Sequence, residues 1–143
     1  MKNFIYHSPT KIVFGENQIN QLDSLLKEND VKRMLLVYGR ESIKKLGIYE
    51  HIYKTVKALN IEVFEESGVL PNPDVSSVRN GVKTCKDNNI DFILAAGGGS
   101  VADCAKAIAF GAKLDVDVWD VYMHRAVAKE SLPIGVIMTL AAT

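Results

Sequence analysis

Short apolar runs alternate with longer amphipathic segments along most of the chain. The runs are rich in branched apolar residues, as is typical of strands buried in a sheet; they span residues 33–38, 61–66, 91–96 and 132–138. The segments between them carry apolar residues at helical spacing; they span residues 16–29, 42–59, 74–88 and 101–112. Strands alternating with helices of this length predict βαβ units, and hence an α/β domain with a parallel sheet flanked by helices.

Local signals refine this pattern at three places. Gly47 is expected to break the second helix, and Asp74 is placed to cap the third. The start of the chain departs from the alternation, because residues 4–15 hold two short β-prone runs on either side of Ser8-Pro9. They predict an N-terminal β-hairpin or a pair of edge strands.

Composition is that of a globular domain and excludes several classes of function. Hydrophobic residues make up 48% of the chain and charged residues 24%, which is ordinary. Lys plus Arg equals Asp plus Glu at 17 each, so no basic field predicts nucleic-acid binding. No stretch has the length of a signal-peptide core or a membrane span. We expect a cytoplasmic protein in which Cys85 and Cys104 are reduced core thiols, rather than a disulfide or a metal site.

Three consecutive glycines follow the most apolar run. Gly97, Gly98 and Gly99 lie where the third strand would end and a helix would begin. Ligands of parallel sheets bind at the carboxyl ends of strands, and a helix N-terminus offers free amides and a partial positive charge that suit phosphate. Ser100 and Asp103 resemble a capping box, so Asp103 has a structural interpretation beside a ligand-binding one.

The glycines also fit a dinucleotide-binding pattern. Gly97, Gly99 and Ala102 satisfy GxGxxA, and a predicted strand before it and helix after it strengthen the match. The alternative left open is a tight turn before a capped helix, with no ligand.

Beyond this pattern, residues 97–109, GGGSVADCAKAIA, resemble the GGGSxxDxAK signature of the iron-containing (group III) alcohol dehydrogenases. Further segments resemble that family in the same order along the chain: YHSPTKIVFG, VYGRESIKKLGIY, VLPNPD and TLAAT. The resemblance covers the whole chain and is strongest to the butanol dehydrogenase-like, NADPH-preferring branch.

The resemblance implies a Rossmann-like nucleotide-binding domain over residues 1–143. The family has a second, all-helical domain, in which an Asp and three His bind the catalytic metal. This chain is therefore expected to be a piece that holds only the first domain. Its histidines, His7, His51 and His124, do not match the metal site. Iron or zinc is expected only in the full-length protein, and the piece alone is expected to be inactive.

The resemblance also implies the residues that contact the cofactor. Gly97, Gly98, Gly99 and Ser100 would bind the diphosphate, with Asp103 nearby. Asn72 would lie near the nicotinamide, although a turn residue before Pro73 is the alternative. The segment that packs on the adenine and ribose matches Thr139, Leu140 and Thr143. It departs mildly from many members, which have proline and glycine where this chain has Met138 and Ala142.

The family binds the cofactor's adenosine ribose at the end of the first strand. An NAD-specific site usually has an acid there, whereas this chain has Gly39, Arg40 and Ser42. Gly39 leaves room, Arg40 offers a guanidinium suited to phosphate, and Ser42 offers a hydroxyl; Glu41 is expected to point to solvent. Lys44 and Lys45 add positive charge nearby. We therefore predict NADP(H) in preference to NAD(H).

A simple spacing rule would place the carboxylate that binds the ribose hydroxyls about 20 residues past the glycines. That position holds Asp115, Asp117 and Asp120. Because the glycine turn follows the third strand here and not the first, we interpret these aspartates as an ordinary surface loop around Trp119.

The predicted function is hydride transfer between the cofactor and a primary alcohol or aldehyde, by a homodimer that forms through the N-terminal edge strands. Alternatives remain open. They are a dehydroquinate synthase-like or glycerol dehydrogenase-like enzyme, a non-enzymatic flavodoxin-like phosphate or nucleotide binder, and a purely structural or interaction module.

Overall fold

The computed structural model describes residues 3–71 and 74–140. Helices and strands follow one another in the predicted order. A 3-10 helix, Gln18–Gln21, comes first; it is followed by α1 Leu22–Glu28, β1 Arg33–Tyr38, α2 Ser42–Lys45, α3 Ile48–Ala58, β2 Glu62–Glu66, α4 Val75–Asp87, β3 Phe92–Gly97, α5 Gly99–Gly111, α6 Trp119–Tyr122 and β4 Ile134–Met138.

The four strands form one parallel sheet in the order β2-β1-β3-β4. From β1 the chain goes to β2 on one side, and it then returns to the other side of β1 to form β3. In α/β proteins, ligands bind at the carboxyl ends of the strands where such a change of direction occurs, which here are the ends of β1 and β3. The predicted parallel α/β fold is confirmed.

The core consists of two apolar layers, one on each face of the sheet. On one face, Met34, Leu36 and Tyr38 pack with α1 and α3. On the other face, Leu35 and Val37 pack with α4 and α5. The central strands β1 and β3 are buried on both sides, which explains why their sequences are continuous apolar runs and not alternating ones.

The local signals act as predicted within the helices. Gly47, with φ of 71°, separates α2 from α3, because glycine adopts this left-handed conformation without steric cost. The Asp74 carboxylate accepts hydrogen bonds from the amides of Ser76 (2.8 Å) and Ser77 (3.1 Å) at the start of α4. The short helix α6 was not predicted and lies in the loop that the aspartates occupy.

The N-terminal segment differs from the prediction. Residues 3–14 contain neither helix nor strand, so the expected hairpin or pair of edge strands is not formed. The segment's large apolar side chains are 82 to 98% exposed; they are Phe4, Ile5, Tyr6, Ile12 and Phe14. A two-stranded hairpin is marginal in water unless another strand or a helix covers its apolar face. The described part of this chain provides no such cover.

Both cysteines are free and buried in the layer against α4 and α5, as predicted. Burial raises the pKa of the Cys85 thiol to about 12. Burial, followed by the charges of Glu66 and Asp74, raises that of Cys104 to about 11. Among the residues described, no helix has the length and apolar character that crossing a membrane requires.

Candidate functional site

Two turns lie side by side at the carboxyl edge of the sheet, one after β1 and one after β3. Tyr38 is paired in register with Ala96, so Gly39 and Gly97 leave adjacent strands at the same level. A Cβ atom built on Gly39 would lie 3.9 Å from Cγ2 of Val101, in the first turn of α5. The two segments that sequence analysis selected for cofactor binding are therefore neighbours.

The glycine turn leads directly into α5. Gly98 is the N-cap residue, with an extended backbone (φ −85°) and no side-chain cap. Its carbonyl accepts hydrogen bonds from the amides of Val101 (3.1 Å) and Ala102 (3.2 Å). A Cβ atom on Gly98 or Gly99 would have no neighbour within 4 Å, so this backbone faces open space. Gly97 is different, because its Cβ would lie 2.7 Å from Cγ2 of Val101.

The predicted capping box is wrong. The helix begins at Gly99, which makes Ser100 its second residue and puts Asp103 beyond the position of a cap. Asp103 instead pairs with Lys106 at 3.5 Å. Glycine tolerates the N-cap position almost as well as a capping side chain does, so the helix starts early. The first amides of α5 then lack both a helical acceptor and a side-chain cap.

These amides fit a diphosphate. The N-terminus of a long helix carries about half a positive charge, and its first amide groups point along the axis toward a bound anion. At Gly98 and Gly99 the absence of side chains lets an anion approach the backbone itself. The donors and the open space are both provided by the glycines.

The turn after β1 is held by the loop after β2. The Gly39 carbonyl accepts a hydrogen bond from Gly68 N (2.8 Å), and the Tyr38 carbonyl accepts one from Val69 N (3.3 Å). A Cβ on Gly39 would lie 3.5 Å from the Val69 carbonyl oxygen, an ordinary contact. The position therefore has room for a side chain but carries none.

The polar residues of this turn lie on its outer surface. Arg40 is exposed and forms no ion pair within the described ranges, and Ser42 is exposed at the start of α2. The side chain of Glu41 is 66% exposed, as predicted, and pairs with Lys44 at 3.4 Å. Of the cations that the sequence places around the turn, Arg40 is the one nearest to Gly39 along the chain.

A cluster of tyrosines around Glu65 lies behind this turn; we call it the Glu65 cluster. One carboxylate oxygen of Glu65 accepts a hydrogen bond from the Tyr38 hydroxyl (2.6 Å). The other accepts hydrogen bonds from the hydroxyls of Tyr49 (2.7 Å) and Tyr53. Lys44 Nζ lies 5.4 Å from the ring centroid of Tyr49 and 5.9 Å from that of Tyr38. The Glu65 cluster thus joins β1, β2, α2 and α3.

The cluster shifts the pKa values of its members in opposite directions. Desolvation raises the pKa of Glu65, but hydrogen bonds from the three tyrosines and the charge of Lys44 outweigh it and hold that pKa below its usual value. Burial, followed by the hydrogen bond to Glu65, raises the pKa of Tyr38 to about 12. This cluster was not predicted. Tyr49 and Tyr53 are four residues apart, a spacing that places them on one helix face, but nothing in the sequence points to Glu65.

Among the remaining predicted contacts, Thr139 lies beside the glycine turn, since its amide donates to the Gly97 carbonyl (3.0 Å). Leu140 follows it and is 66% exposed. Asn72 and Thr143 lie outside the described residues. Gly39, Arg40 and Ser42 are thus brought to the same sheet edge as the glycines and Thr139.

Asp103 lies elsewhere, on a cavity of about 180 Å³ between α4, α5 and α6. Asp74, Trp119 and Tyr122 line the same cavity. Asp103 is therefore not among the residues that the glycine turn and the β1 turn bring together.

Asp117, one of the aspartates after α5, has a structural role. Asp117 accepts two hydrogen bonds from the Arg79 guanidinium (2.8 and 3.0 Å) and one from Trp119 N (2.9 Å). The hydrogen bond from Arg79, followed by that from the Trp119 amide, lowers the pKa of Asp117. The ion pair attaches the loop before α6 to α4, away from both turns.

No group of three His, Cys, Asp or Glu side chains in residues 3–71 and 74–140 is placed to hold a metal ion. The described part of the chain therefore does not fit the metal that the family resemblance implies.

Comparisons with known proteins support the resemblance to the iron-containing alcohol dehydrogenases. The sequence model described as "Iron-containing alcohol dehydrogenase" matches residues 9–143. The chain is 49% identical over 143 residues to the probable NADH-dependent butanol dehydrogenase 1 of Bacillus subtilis, covering 100% of this chain and 37% of that protein. It is 35% identical over 146 residues to the NADPH-dependent aldehyde reductase YqhD of Escherichia coli, again covering 100% and 37%.

A solved structure agrees with the sequence relatives. The crystal structure of NADH-dependent butanol dehydrogenase A from Thermotoga maritima superposes with a TM-score of 0.95 at 40% identity, over 100% of this chain and 36% of that one. The chain thus spans little more than a third of the length of the relatives it matches.

Proposed function

Since the chain belongs to the iron-containing alcohol dehydrogenase family, we propose that it is the nicotinamide-dinucleotide-binding domain of an oxidoreductase that interconverts primary alcohols and aldehydes. The observation that carries the proposal is the uncapped start of α5, where Gly98 and Gly99 face open space beside the β1 turn. The names of the relatives, butanol dehydrogenase and aldehyde reductase, support the substrate class.

In this proposal the backbone around Gly97, Gly98, Gly99 and Ser100 binds the diphosphate, and the β1 turn binds the adenosine ribose. Thr139 and Leu140, which follow β4, would contact the adenosine, and the hydrogen bond from Thr139 N to the Gly97 carbonyl supports this role for Thr139. Contacts by Asn72 and Thr143 stay predictions, and so does a contact by Asp103, which its place on the cavity between α4, α5 and α6 does not support. When bound, the dinucleotide supplies or accepts the hydride; the chain's own residues bind and orient it.

The metal belongs to the whole protein in this proposal, because the described residues provide no ligand set for it. We propose that the 143-residue chain alone has no dehydrogenase activity.

The choice between NADP(H) and NAD(H) depends on the β1 turn. Gly39 provides no carboxylate to repel a 2′-phosphate, and Arg40 is an exposed guanidinium close to where that phosphate would lie. These two residues support the predicted preference for NADP(H). The names of the relatives are divided, since two of those above are NADH-dependent and one is NADPH-dependent.

The proposal also includes a homodimer that forms through residues 3–14. Its support is the concentration of exposed apolar side chains in that one short segment, such as Phe4, Ile5 and Phe14, since extended exposed apolar surface marks interaction sites. Sedimentation of the chain at high concentration tests it, and a monomer alone would contradict it. A cytoplasmic location stays a prediction.

The central test is titration of the 143-residue chain with NADPH, NADH and FMN by isothermal calorimetry. We expect saturable one-to-one binding of at least one nicotinamide dinucleotide and no heat from FMN. Tighter binding of FMN would favour the flavodoxin-like alternative, and binding of none of the three would overturn the proposal.

A further inference from the structure

We propose that Glu65 is a positioning residue, which holds the turn Gly39–Ser42 in the conformation that binds the adenosine ribose. The inference rests on the proposed function, and it adds a residue outside the predicted site. Glu65 lies on β2 and does not belong to the turn. Its carboxylate acts on the turn through the side chains that it anchors.

The first link is Tyr38. This residue ends β1 and directly precedes Gly39, so its position fixes where the turn leaves the sheet. Tyr38 is only 4% exposed, and its hydroxyl is directed to Glu65 at 2.6 Å. The start of the turn is therefore tied to the neighbouring strand through a side chain as well as through the backbone.

The second link is Lys44, on the far side of the turn. Its ammonium group lies over the rings of Tyr38 and Tyr49, which Glu65 orients, and it also pairs with Glu41. Cation–π contacts and a nearby carboxylate restrict where α2 can lie relative to β1. Both ends of the turn are thus connected to the Glu65 cluster.

The third link is α3. Tyr49 and Tyr53 approach the second carboxylate oxygen, and their rings pack 4.6 Å apart between centroids. Three hydroxyl donors on one carboxylate leave it little freedom to rotate, because each hydrogen bond has its own preferred direction. The arrangement makes Glu65 the common attachment point of the elements that flank the turn.

The arrangement also determines which cation remains for a ligand. Lys44 is committed to the tyrosine rings and to Glu41. Arg40 forms no ion pair within the described ranges and lies on the exposed surface of the turn. By holding Lys44, the Glu65 cluster leaves Arg40 as the cation nearest to Gly39 along the chain that a phosphate group at this turn would meet. Lys45, at the end of α2, is exposed as well.

The test compares variants of the 143-residue chain with ADP-ribose, NADH and NADPH as probes, well below each variant's unfolding temperature. Removal of a charged hydrogen-bond acceptor is worth about tenfold in an equilibrium constant. We expect Glu65→Leu to weaken binding about tenfold and Glu65→Gln, which keeps an acceptor, about threefold. Tyr38→Phe should weaken binding by a factor between about threefold and about tenfold. The double variant Tyr38→Phe/Glu65→Leu should bind no more weakly than Glu65→Leu alone.

Glu62→Gln is the matched control. Glu62 lies on the same strand and pairs with Arg33 at 3.1 Å, but at the amino end of the sheet, away from both turns. Its affinity for all three probes should equal that of the wild type. If Glu65→Leu does not fold, Glu65→Gln and Tyr38→Phe carry the test.

The outcomes separate the two proposals. Wild-type binding that no Glu65 or Tyr38 variant weakens, even if unfolding temperatures fall, would show a purely structural cluster and overturn the role of Glu65 alone. Additive losses in the double variant would also overturn it. Failure of the wild type to bind any probe would overturn the proposed function, and the role of Glu65 with it.

Discussion

The two turns at the carboxyl edge of the sheet are built in different ways. The turn after β3 consists of glycines and of the helix start that follows, and it presents only backbone to solvent at Gly98 and Gly99. The turn after β1 presents the side chains of Arg40 and Ser42, and other elements hold it in place through the Glu65 cluster. The turn after β3 offers backbone amides in a fixed geometry. The turn after β1 offers side chains, which substitution can change.

This difference separates two tasks in the proposed function. Every nicotinamide dinucleotide has a diphosphate, so the turn that binds it can be the same for all of them. NADH and NADPH differ only at the ribose 2′ position, which the β1 turn is proposed to bind. Relatives named for NADH and for NADPH both match this chain over its full length. In the proposed function, a change of cofactor would therefore require change in the β1 turn alone.

The largest effect is expected in the glycine turn. Gly98→Val places a side chain where the diphosphate is proposed to lie, and its backbone conformation, φ −85°, suits valine. We expect affinity for NADPH and NADH to fall about 100-fold, the equivalent of two hydrogen bonds to a charged group. Calorimetry measures the affinity. Unfolding free energy should fall by less than about 1 kcal/mol, for a poorer N-cap.

Gly97 provides the contrast to Gly98. Its added Cβ would lie 2.7 Å from Val101 Cγ2, so Gly97→Ala should lower the free energy of unfolding by about 1–3 kcal/mol. Urea denaturation measures this loss. Equal behaviour of the Gly97 and Gly98 variants, whether in binding or in stability, would contradict the division between a packed and an open glycine.

An intermediate effect is expected in the β1 turn. Gly39→Asp has room for its side chain, and its carboxylate would repel a 2′-phosphate while accepting hydrogen bonds from the ribose hydroxyls. The ratio of NADPH to NADH affinity should fall roughly tenfold, as for one charge-assisted contact. Gly39→Asn is the neutral control and should change the ratio less. An unchanged ratio in Gly39→Asp would remove the β1 turn from cofactor choice.

The smallest effect is a pH dependence of stability. The depressed pKa of Glu65 stabilises the fold above the carboxylate's ordinary pKa, and this contribution is lost as pH falls through the folded value. The pKa of Tyr38, raised to about 12, stabilises the fold below its ordinary value of about 10, and this is lost as pH rises toward 12.

Glu65→Gln should therefore cost about 1 kcal/mol or less near neutral pH, because the carboxylate is partly solvated. The difference from wild type should vanish at acid pH, and it should shrink and then reverse as Tyr38 ionises at strongly alkaline pH, because the phenolate would repel the Glu65 carboxylate. Urea denaturation across this range measures it. A constant difference at every pH would show that the carboxylate's charge has no part in the cluster.

Sequence alone was sufficient where a feature is local. The apolar runs of β1 and β3, the break at Gly47 and the cap at Asp74 each depend on residues close together in the chain, and each was predicted. The start of α5 was misplaced because SVAD fits a capping box, while glycine at the N-cap allows an earlier start. Local patterns identify the type of element, but they do not determine at which of several neighbouring residues the helix begins.

Features that depend on contacts between distant residues were not predictable. Glu65 meets Tyr38 only because β2 pairs in parallel with β1 in one register, and no spacing in the sequence carries that information. The hairpin in residues 4–15 was predicted from β-propensity, which expresses a fit to a partner surface. Within the described chain that surface is missing, and the segment forms no strand.

The two edges of the sheet have opposite consequences for association. The outer strand β2 carries Glu62, Glu65 and Glu66, whose charges oppose pairing with another strand. The outer strand β4 exposes Val136 and Met138 and has no charged residue. Addition of a strand, whether from another molecule or from a longer polypeptide, is thus favoured at β4 and opposed at β2. Aggregation of a partly unfolded chain would start from the β4 side, and a charged substitution at Val136 would be the change that suppresses it.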